Sequence, residues 1–196
     1  MIENFKNIEY LKFGNERQKL AYSEIRRIRI LEKLKEYNPI LTGTIPIQID
    51  LPESDLDIIC HCTDHLSFSS FLQQEFSNHQ SFKVYSTTQN EIVCTIAEFK
   101  SGKFQFEVFG QNIPTEQQNA YRHMIIENRI LMERGIRFKQ EIIALKSTGI
   151  KTEPAFAKLL GLNGNPYIEL LKLANKIAHN RTSEILGLEL IGKHQM

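Results

Sequence analysis

The most constraining feature of the chain is a change of hydrophobic period. From Asn15 to Tyr37 apolar residues recur at helical spacing, with Leu20, Ile28, Leu31 and Leu34 set among Arg, Lys and Glu, until Asn38-Pro39 stops the pattern. Short apolar runs then replace it: Ile40 to Thr42, Asp55 to His61, Phe82 to Ser86, Ile92 to Phe99 and Phe104 to Phe109. Each is rich in Ile, Val, Phe or Thr and is bounded by turn residues, the signature of strands. One helix, about His65 to Phe76, interrupts them, and a short one, about Asn4 to Phe13, precedes the whole. Breaks at Gln89-Asn90 and Ser101-Gly102 join the last strands as hairpins.

After Gly110 the helical period returns. Pro114 to Arg134 reads as a helix ended by Gly135, and Ile136 to Ser147 as another ended by Gly149. Thr152 reads as an N-cap with Pro154 in the first turn, and Asn165-Pro166 repeats that start signal before Tyr167 to Leu173. The last twenty residues carry mixed signals. The expected fold is α/β (α+β): a mixed sheet core with an N-terminal helix over 1–110, and a helical region over 111–196 packed against it.

Composition limits the function classes. The formal charge of +1 gives no reason to expect a protein that coats a polyanion. Cys60, Cys62 and Cys94 are odd in number and lie in apolar runs, so reduced thiols in a cytoplasmic protein are expected. No apolar run approaches the roughly 20 residues that span a bilayer, and MIENFKNIEY lacks the basic start and apolar stretch of a signal peptide.

The chemistry concentrates in Gly43-Thr44-Ile45-Pro46-Ile47-Gln48-Ile49-Asp50-Leu51-Pro52-Glu53-Ser54-Asp55-Leu56-Asp57-Ile58. Side chains alternate along a strand, so Asp55 and Asp57 share a face while Leu56 and Ile58 take the other. Two such carboxylates suit a hard divalent cation, which takes oxygen ligands. In Phe104-Gln105-Phe106-Glu107-Val108-Phe109, Phe104, Phe106 and Val108 define a buried face and Glu107 stands opposite. If this strand lies beside the Asp55 strand, Glu107 completes a site of three carboxylates, suited to phosphoryl transfer with two metal ions.

This pattern resembles the signature of the nucleotidyltransferase superfamily, the DNA polymerase beta-like fold: an apolar residue, Gly, then Gly or Ser, about ten residues, and Asp-apolar-Asp-apolar, with a third acid on a later strand. Gly43, Thr44, Asp55, Asp57 and Glu107 fall on those positions, with Thr44 where Ser is usual. The resemblance implies that Gly43 and Thr44, with Ser54, hold nucleotide phosphates at the start of a short helix, and that the three acids bind two Mg²⁺ ions. Over nearly the whole chain, Gly-Thr-Ile-Pro-Ile, Ser-Asp-Leu-Asp-Ile-Ile-Cys, Gln-Asn-Ala-Tyr-Arg-His-Met and Lys-Thr-Glu-Pro-Ala-Phe-Ala resemble an uncharacterised bacterial family classed with that superfamily. One departure stands out. Many small members carry Ala-Arg-Gly-like residues after Gly-Ser, whereas Pro46-Ile47-Gln48 stands here, without the Arg and with a proline that alters the short helix.

Other features carry two readings each. Cys60-His61-Cys62 with His65 lacks a second matching pair for zinc, so buried thiols are expected. His123 and Glu127 lie four apart on one helix face beside Arg122, either as a structural pair or as residues that meet the acceptor. Lys146 and Lys151 flank the Gly149 break, either as C-capping residues or as phosphate-binding residues ahead of the Thr152 helix. Arg26, Arg27 and Arg29 share their helix with Glu24 and Glu32 and read as a salt-bridged face.

The resulting expectation is a Mg²⁺-dependent nucleotidyltransferase that moves a nucleotidyl group from an NTP to a small-molecule or protein acceptor, with no membrane or nucleic-acid partner. The alternative is a module on the same fold that senses nucleotide or binds a partner without turnover.

Overall fold

The computed structural model describes residues 4–89 and 91–173. The last twenty residues and Asn90 lie outside the described residues. The chain divides into two compact units, 1–124 and 125–196.

The first unit is built on a five-stranded sheet in the order β1-β2-β5-β4-β3. Its strands are β1 (Ile40–Thr42), β2 (Leu56–His61), β3 (Gln80–Gln89), β4 (Ile92–Ser101) and β5 (Phe104–Gln111). β2 and β5 run parallel, and every other pair is antiparallel. The sheet is thus mixed, as the sequence pattern requires. The β3–β4 and β4–β5 neighbours are the expected hairpins, each strand extending a few residues beyond its apolar run.

One face of this sheet holds the core. Leu56, Ile58 and Cys60 of β2, Phe104, Phe106 and Val108 of β5, and Ala97 and Phe99 of β4 are all buried in one cluster. Helix α1 (Glu16–Ile28) adds Ala21, Ile25 and Ile28, and helix α3 (His65–Phe76) adds Phe68, Leu72 and Phe76. At the centre, Phe76, Phe99 and Phe106 form a stacked column with ring centroids 5.2 Å apart and planes within 8°. Cys60 and Cys62 are buried thiols, and burial pushes the Cys62 thiol up to about 11.

Several boundaries differ from the sequence reading. The first helix is only a 3-10 turn over Glu9–Phe13. The long helix from Asn15 breaks at Arg29, which adopts the left-handed conformation (φ 55°), and continues as α2 (Ile30–Lys33) and a 3-10 turn, Lys35–Tyr37. Its buried stripe is Gln18, Ala21, Ile25 and Ile28, a 3-4-3 spacing that leaves Leu20 off the stripe and exposed. The arginine face is ion-paired as expected, with Arg26 and Arg29 on Glu32 and Arg27 on Glu24.

Helix α4 (Asn119–Ser147) is interrupted at Gly135, whose φ of 77° and ψ of −170° are open to glycine and strained for other residues. This is the break that the glycine signalled. Helix α5 (Thr152–Leu160) follows, and residues 166–173 are helical. Thr152 is not the N-cap of α5. Lys151 occupies that position without a side-chain cap, and Thr152 is the first helical residue. Among the described residues no helix is long and apolar enough to cross a membrane.

Phe99 is the middle ring of the stacked column, so Phe99→Ala empties the space between α3 and β5. We expect a loss of about 3–5 kcal/mol, read by urea denaturation. A loss below about 1 kcal/mol would show that the column contributes little beyond ordinary apolar contact.

Candidate functional site

The face of the sheet opposite the core carries the acids. Along β5 burial alternates, with Phe104, Phe106 and Val108 inward and Gln105, Glu107 and Phe109 half-buried on the other side. β2 places Leu56 and Ile58 inward and Asp57 outward in the same way. The parallel register puts Asp57 directly beside Glu107, one strand spacing away, about 4.8 Å. The antiparallel β4 puts Glu98 beside Glu107, and β1 puts Thr42 beside Asp57. A single row therefore crosses the sheet: Thr42, Asp57, Glu107, Glu98 and, on β3, Lys83. Asp55 immediately precedes β2 and is half-buried.

The electrostatics of this row are unequal. Glu98 accepts from the Tyr85 hydroxyl at 2.8 Å and from Lys83 Nζ at 3.0 Å, and these bonds hold its carboxyl below the usual range. Glu107 is treated the opposite way. Burial, then the negative charge of Asp55, then that of Glu98, all hold its carboxyl above the usual range. Glu98 was absent from the sequence reading; its signal was the alternation of β4, which puts it on the same face as Glu107 once the hairpin register is known.

Gly43 ends β1 and sits against the acids. Its φ of 83° lies in the left-handed region, and a Cβ built there would overlap the Asp57 carboxylate. Gly43 is thus required twice over, by backbone conformation and by the approach of Asp57. Residues 44–48 form consecutive turns and no helix. The Gln48 N–H donates to the Ile45 carbonyl (3.2 Å) and the Ile49 N–H to the Thr44 carbonyl (3.1 Å). Pro46 is buried, and the short helix of the resemblance does not form. Thr44 Oγ1 donates to Ser54 Oγ at 3.3 Å, and Ser54 Oγ accepts from the Leu51 N–H at 2.9 Å. Gly43, Thr44, Ser54, Asp55, Asp57 and Glu107 are therefore grouped at one end of β1, β2 and β5.

The donor set consists only of carboxylates and hydroxyls, which fits a hard cation such as Mg²⁺ rather than zinc. The repulsion imposed on Glu107 by Asp55 is what a divalent ion would relieve. As they stand, no three His, Cys, Asp or Glu side chains among the described residues converge closely enough to hold a metal ion.

The remaining candidates lie on later helices. Arg122 is half-buried and His123 buried in the first half of α4. Glu127 of the second unit is 4% exposed, and its Oε1 has no hydrogen-bond partner. Burial first, and then the charge of Glu153, push its carboxyl up to about 8, with Lys146 opposing. Lys146 is itself buried beside this group, while Lys151 is exposed at the N-terminus of α5.

Comparison with known proteins bears on the fold. Residues 23–173 match a family described as a domain of unknown function, DUF4269. No curated protein matches the chain. Among solved structures, the Cid1 poly(U) polymerase bound to MgGTP is similar at 13% identity and a TM-score of 0.50, over 70% of this chain and 47% of that one. A mutant of the same polymerase bound to MgATP is similar at 16% identity and a TM-score of 0.50, over 83% of this chain and 54% of that one. The chain thus spans about half the length of these structures, and at such identities the likeness shows a nucleotidyltransferase-like fold.

Two outcomes follow from the site. Gly43→Ala meets both the positive φ and the Asp57 carboxylate, and we expect it to cost about 1–3 kcal/mol in urea denaturation; a neutral substitution would contradict the close approach. For Glu127 the folded carboxyl ionises near 8, well above the roughly 4.3 of an unfolded chain. Its contribution to stability is therefore fully present below about pH 4.3 and is lost as pH rises through 8. Glu127→Gln should remove that decline, and a stability profile parallel to wild type from pH 4 to 8 would contradict it.

Proposed function

We propose that this chain, which belongs to the DUF4269 family, is a nucleotidyltransferase that moves a nucleotidyl group from an NTP to a hydroxyl or similar group on a small-molecule or protein acceptor. The observation that carries this reading is the register that seats Asp57 beside Glu107 on neighbouring parallel strands, with the Gly43-Thr44 turn at the end of β1. Asp55, Asp57 and Glu107 would hold Mg²⁺, which when bound neutralises phosphate charge and lowers the cost of ionising the acceptor oxygen.

The rest follows from the residues. Thr44 and Ser54 offer hydroxyls, and the loop offers backbone N–H groups, to the phosphates of the NTP. Asp55 and Asp57 fix one side of the reacting centre. The acceptor oxygen attacks the α-phosphorus and forms the new P–O bond as the bond to the β-phosphate oxygen breaks, so pyrophosphate leaves. Glu107 is the candidate to take the proton that the acceptor gives up, since a carboxylate beside the acceptor oxygen is within reach of it. Arg122 and His123, in the same unit as the acid row, are candidates to meet the acceptor. The near-neutral formal charge of +1 favours a small or protein acceptor over long RNA.

A second reading has one observation in its favour. Residues 44–48 are turns, so no helix N-terminus faces the phosphates at that point. On this reading the chain senses nucleotide or serves a partner protein without turnover.

The test is thermal stability with ATP, GTP, CTP and UTP, each with and without Mg²⁺, on wild type and Asp57→Asn. Ligand at about 100 times its dissociation constant adds roughly 2.7 kcal/mol, or about 5–11 °C for a chain of this size. We expect a shift with at least one nucleotide that needs both Mg²⁺ and Asp57. A shift that survives Asp57→Asn would overturn the metal assignment.

A further inference from the structure

The segment 43–54 carries Thr44 and Ser54 to the acid row, yet between β1 and β2 it forms only turns. Ile45, Pro46 and Ile47 within it are buried, so their carbonyls need donors from the protein, and Pro46 has no N–H of its own to offer. The Ile45 carbonyl takes the Gln48 N–H from within the loop, while a second donor to Ile45 and the donor to Pro46 come from elsewhere in the chain. Gln18, 2% exposed in the first turn of α1, donates from Nε2 to both the Ile45 and the Pro46 carbonyl, each at 3.0 Å.

The other end of the same amide is also fully used. Gln18 Oε1 accepts from the Asn15 N–H at 3.0 Å, completing a capping box in which Asn15 Oδ1 accepts from the Gln18 N–H at 2.9 Å. It accepts as well from Gln48 Nε2 at 3.1 Å. The approach is close enough that a Cβ on Gly14 would overlap this amide. Beside it, Arg17 Nη2 donates to the Ser54 carbonyl at 2.7 Å, and Arg17 Nε lies 3.1 Å from Asp50 Oδ2. The guanidinium rests over the Phe104 ring, 5.0 Å from its centroid. The two ends of the loop are thereby tied to consecutive residues of α1.

We propose that Gln18, with Arg17 beside it, is a positioning residue: it fixes the 44–54 loop so that the Thr44 and Ser54 hydroxyls are presented to nucleotide phosphates at the acid row. This rests on the nucleotidyltransferase reading and adds to it. Residues 44–48 form turns with Pro46 among them, so no helix orders this backbone. The order is supplied instead by a buried amide whose oxygen starts α1 and whose nitrogen holds the loop. A core-filling role alone would have no use for both ends of the amide. Asp57 and Glu107 stand on β2 and β5 and are held by the sheet, so these two acids are separable from the loop, while Asp55 joins the loop to β2.

Gln18→Glu separates the two jobs. Glutamate keeps the oxygen that accepts from Asn15, and Glu is the usual residue at that place in a capping box, but it loses both donors to Ile45 and Pro46. The experiment combines hydrogen exchange on the free protein with thermal-shift titration of the Mg²⁺ complexes of ATP, GTP, CTP and UTP and, separately, of Mn²⁺ alone. Expected are backbone amides of 44–54 exchanging at least about tenfold faster with those of α1 unchanged. Nucleotide affinity should fall at least about tenfold while Mn²⁺ affinity stays within about twofold.

Unchanged exchange in the loop overturns the proposal, as does a loosened loop with wild-type nucleotide affinity. A parallel loss of α1 protection and Mn²⁺ affinity overturns it too, by showing general destabilisation. Should Gln18→Glu not fold, Arg17→Met, which releases the Ser54 carbonyl from the other end of the loop, is put through the same measurements. A wild-type protein that binds none of the nucleotides would overturn the nucleotidyltransferase reading itself, and the exchange rates then decide whether Gln18 anchors the loop.

Discussion

The parallel pairing of β2 with β5 is the interaction on which the rest of the structure depends. It sets Leu56 and Ile58 beside Phe106 and Val108 on the core face, and by the same step sets Asp57 beside Glu107 on the other. Because side chains alternate with a period of two, a one-residue slip of β2 against β5 would turn Asp57 toward the core face and Leu56 and Ile58 away from it. The apolar face therefore specifies the register, and the register places the acids. Folding energy and site geometry come from one constraint, so the acid row need not stabilise itself.

That row is held at some cost. Glu107 stands directly opposite Glu98 on β4 and feels the charge of Asp55 as well, and like charges directly opposite are destabilising. The outermost is relieved locally, since Glu98 has Lys83 and Tyr85. Glu107 is left in the middle with Asp55 on one side and Glu98 on the other. A fold under no functional demand would be expected to compensate the central acid first and the edge acid last. The reverse arrangement suits the proposed cation site, where a bound cation would compensate the central acid.

Much of this was legible in the sequence, and the reasons are specific. Strand β1 and helix α3 fall on the expected residues because each is bounded by strong signals: Asn38-Pro39 before Ile40, and Asp64, whose side chain caps α3 through the Leu66 and Ser67 N–H groups. Gly135 marked its helix break because its φ of 77° is open to glycine. The Asp-Leu-Asp alternation and the Phe-flanked Glu107 fixed which side chains share a face, while only the pairing of the strands could bring them together. Besides Glu98 and the break at Arg29, three further points escaped. Leu20 counts among the recurring apolar residues of the helix by hydrophobicity alone, yet the buried position two residues earlier belongs to a polar residue, Gln18. Thr152 has the chemistry of a cap, yet the chain enters α5 one residue sooner, at Lys151. Gln18 and Arg17 were invisible as site residues, since their partners lie 27 to 37 positions away along the chain; the spacing Asn15-x-x-Gln18 announced a helix start and nothing of the loop beyond it.

The central claim is that Asp55, Asp57 and Glu107 form one divalent-cation site next to a nucleotide. Electron paramagnetic resonance of Mn²⁺ tests it most directly, because free Mn²⁺ gives a sharp signal that is lost on binding. Titrating wild type with Mn²⁺ in the presence of each NTP should deplete the free signal beyond what the nucleotide alone removes, and Glu107→Gln should abolish that excess while the protein stays folded. Equal depletion by wild type and Glu107→Gln would contradict the claim, for it would leave the acid row without the cation that its geometry implies.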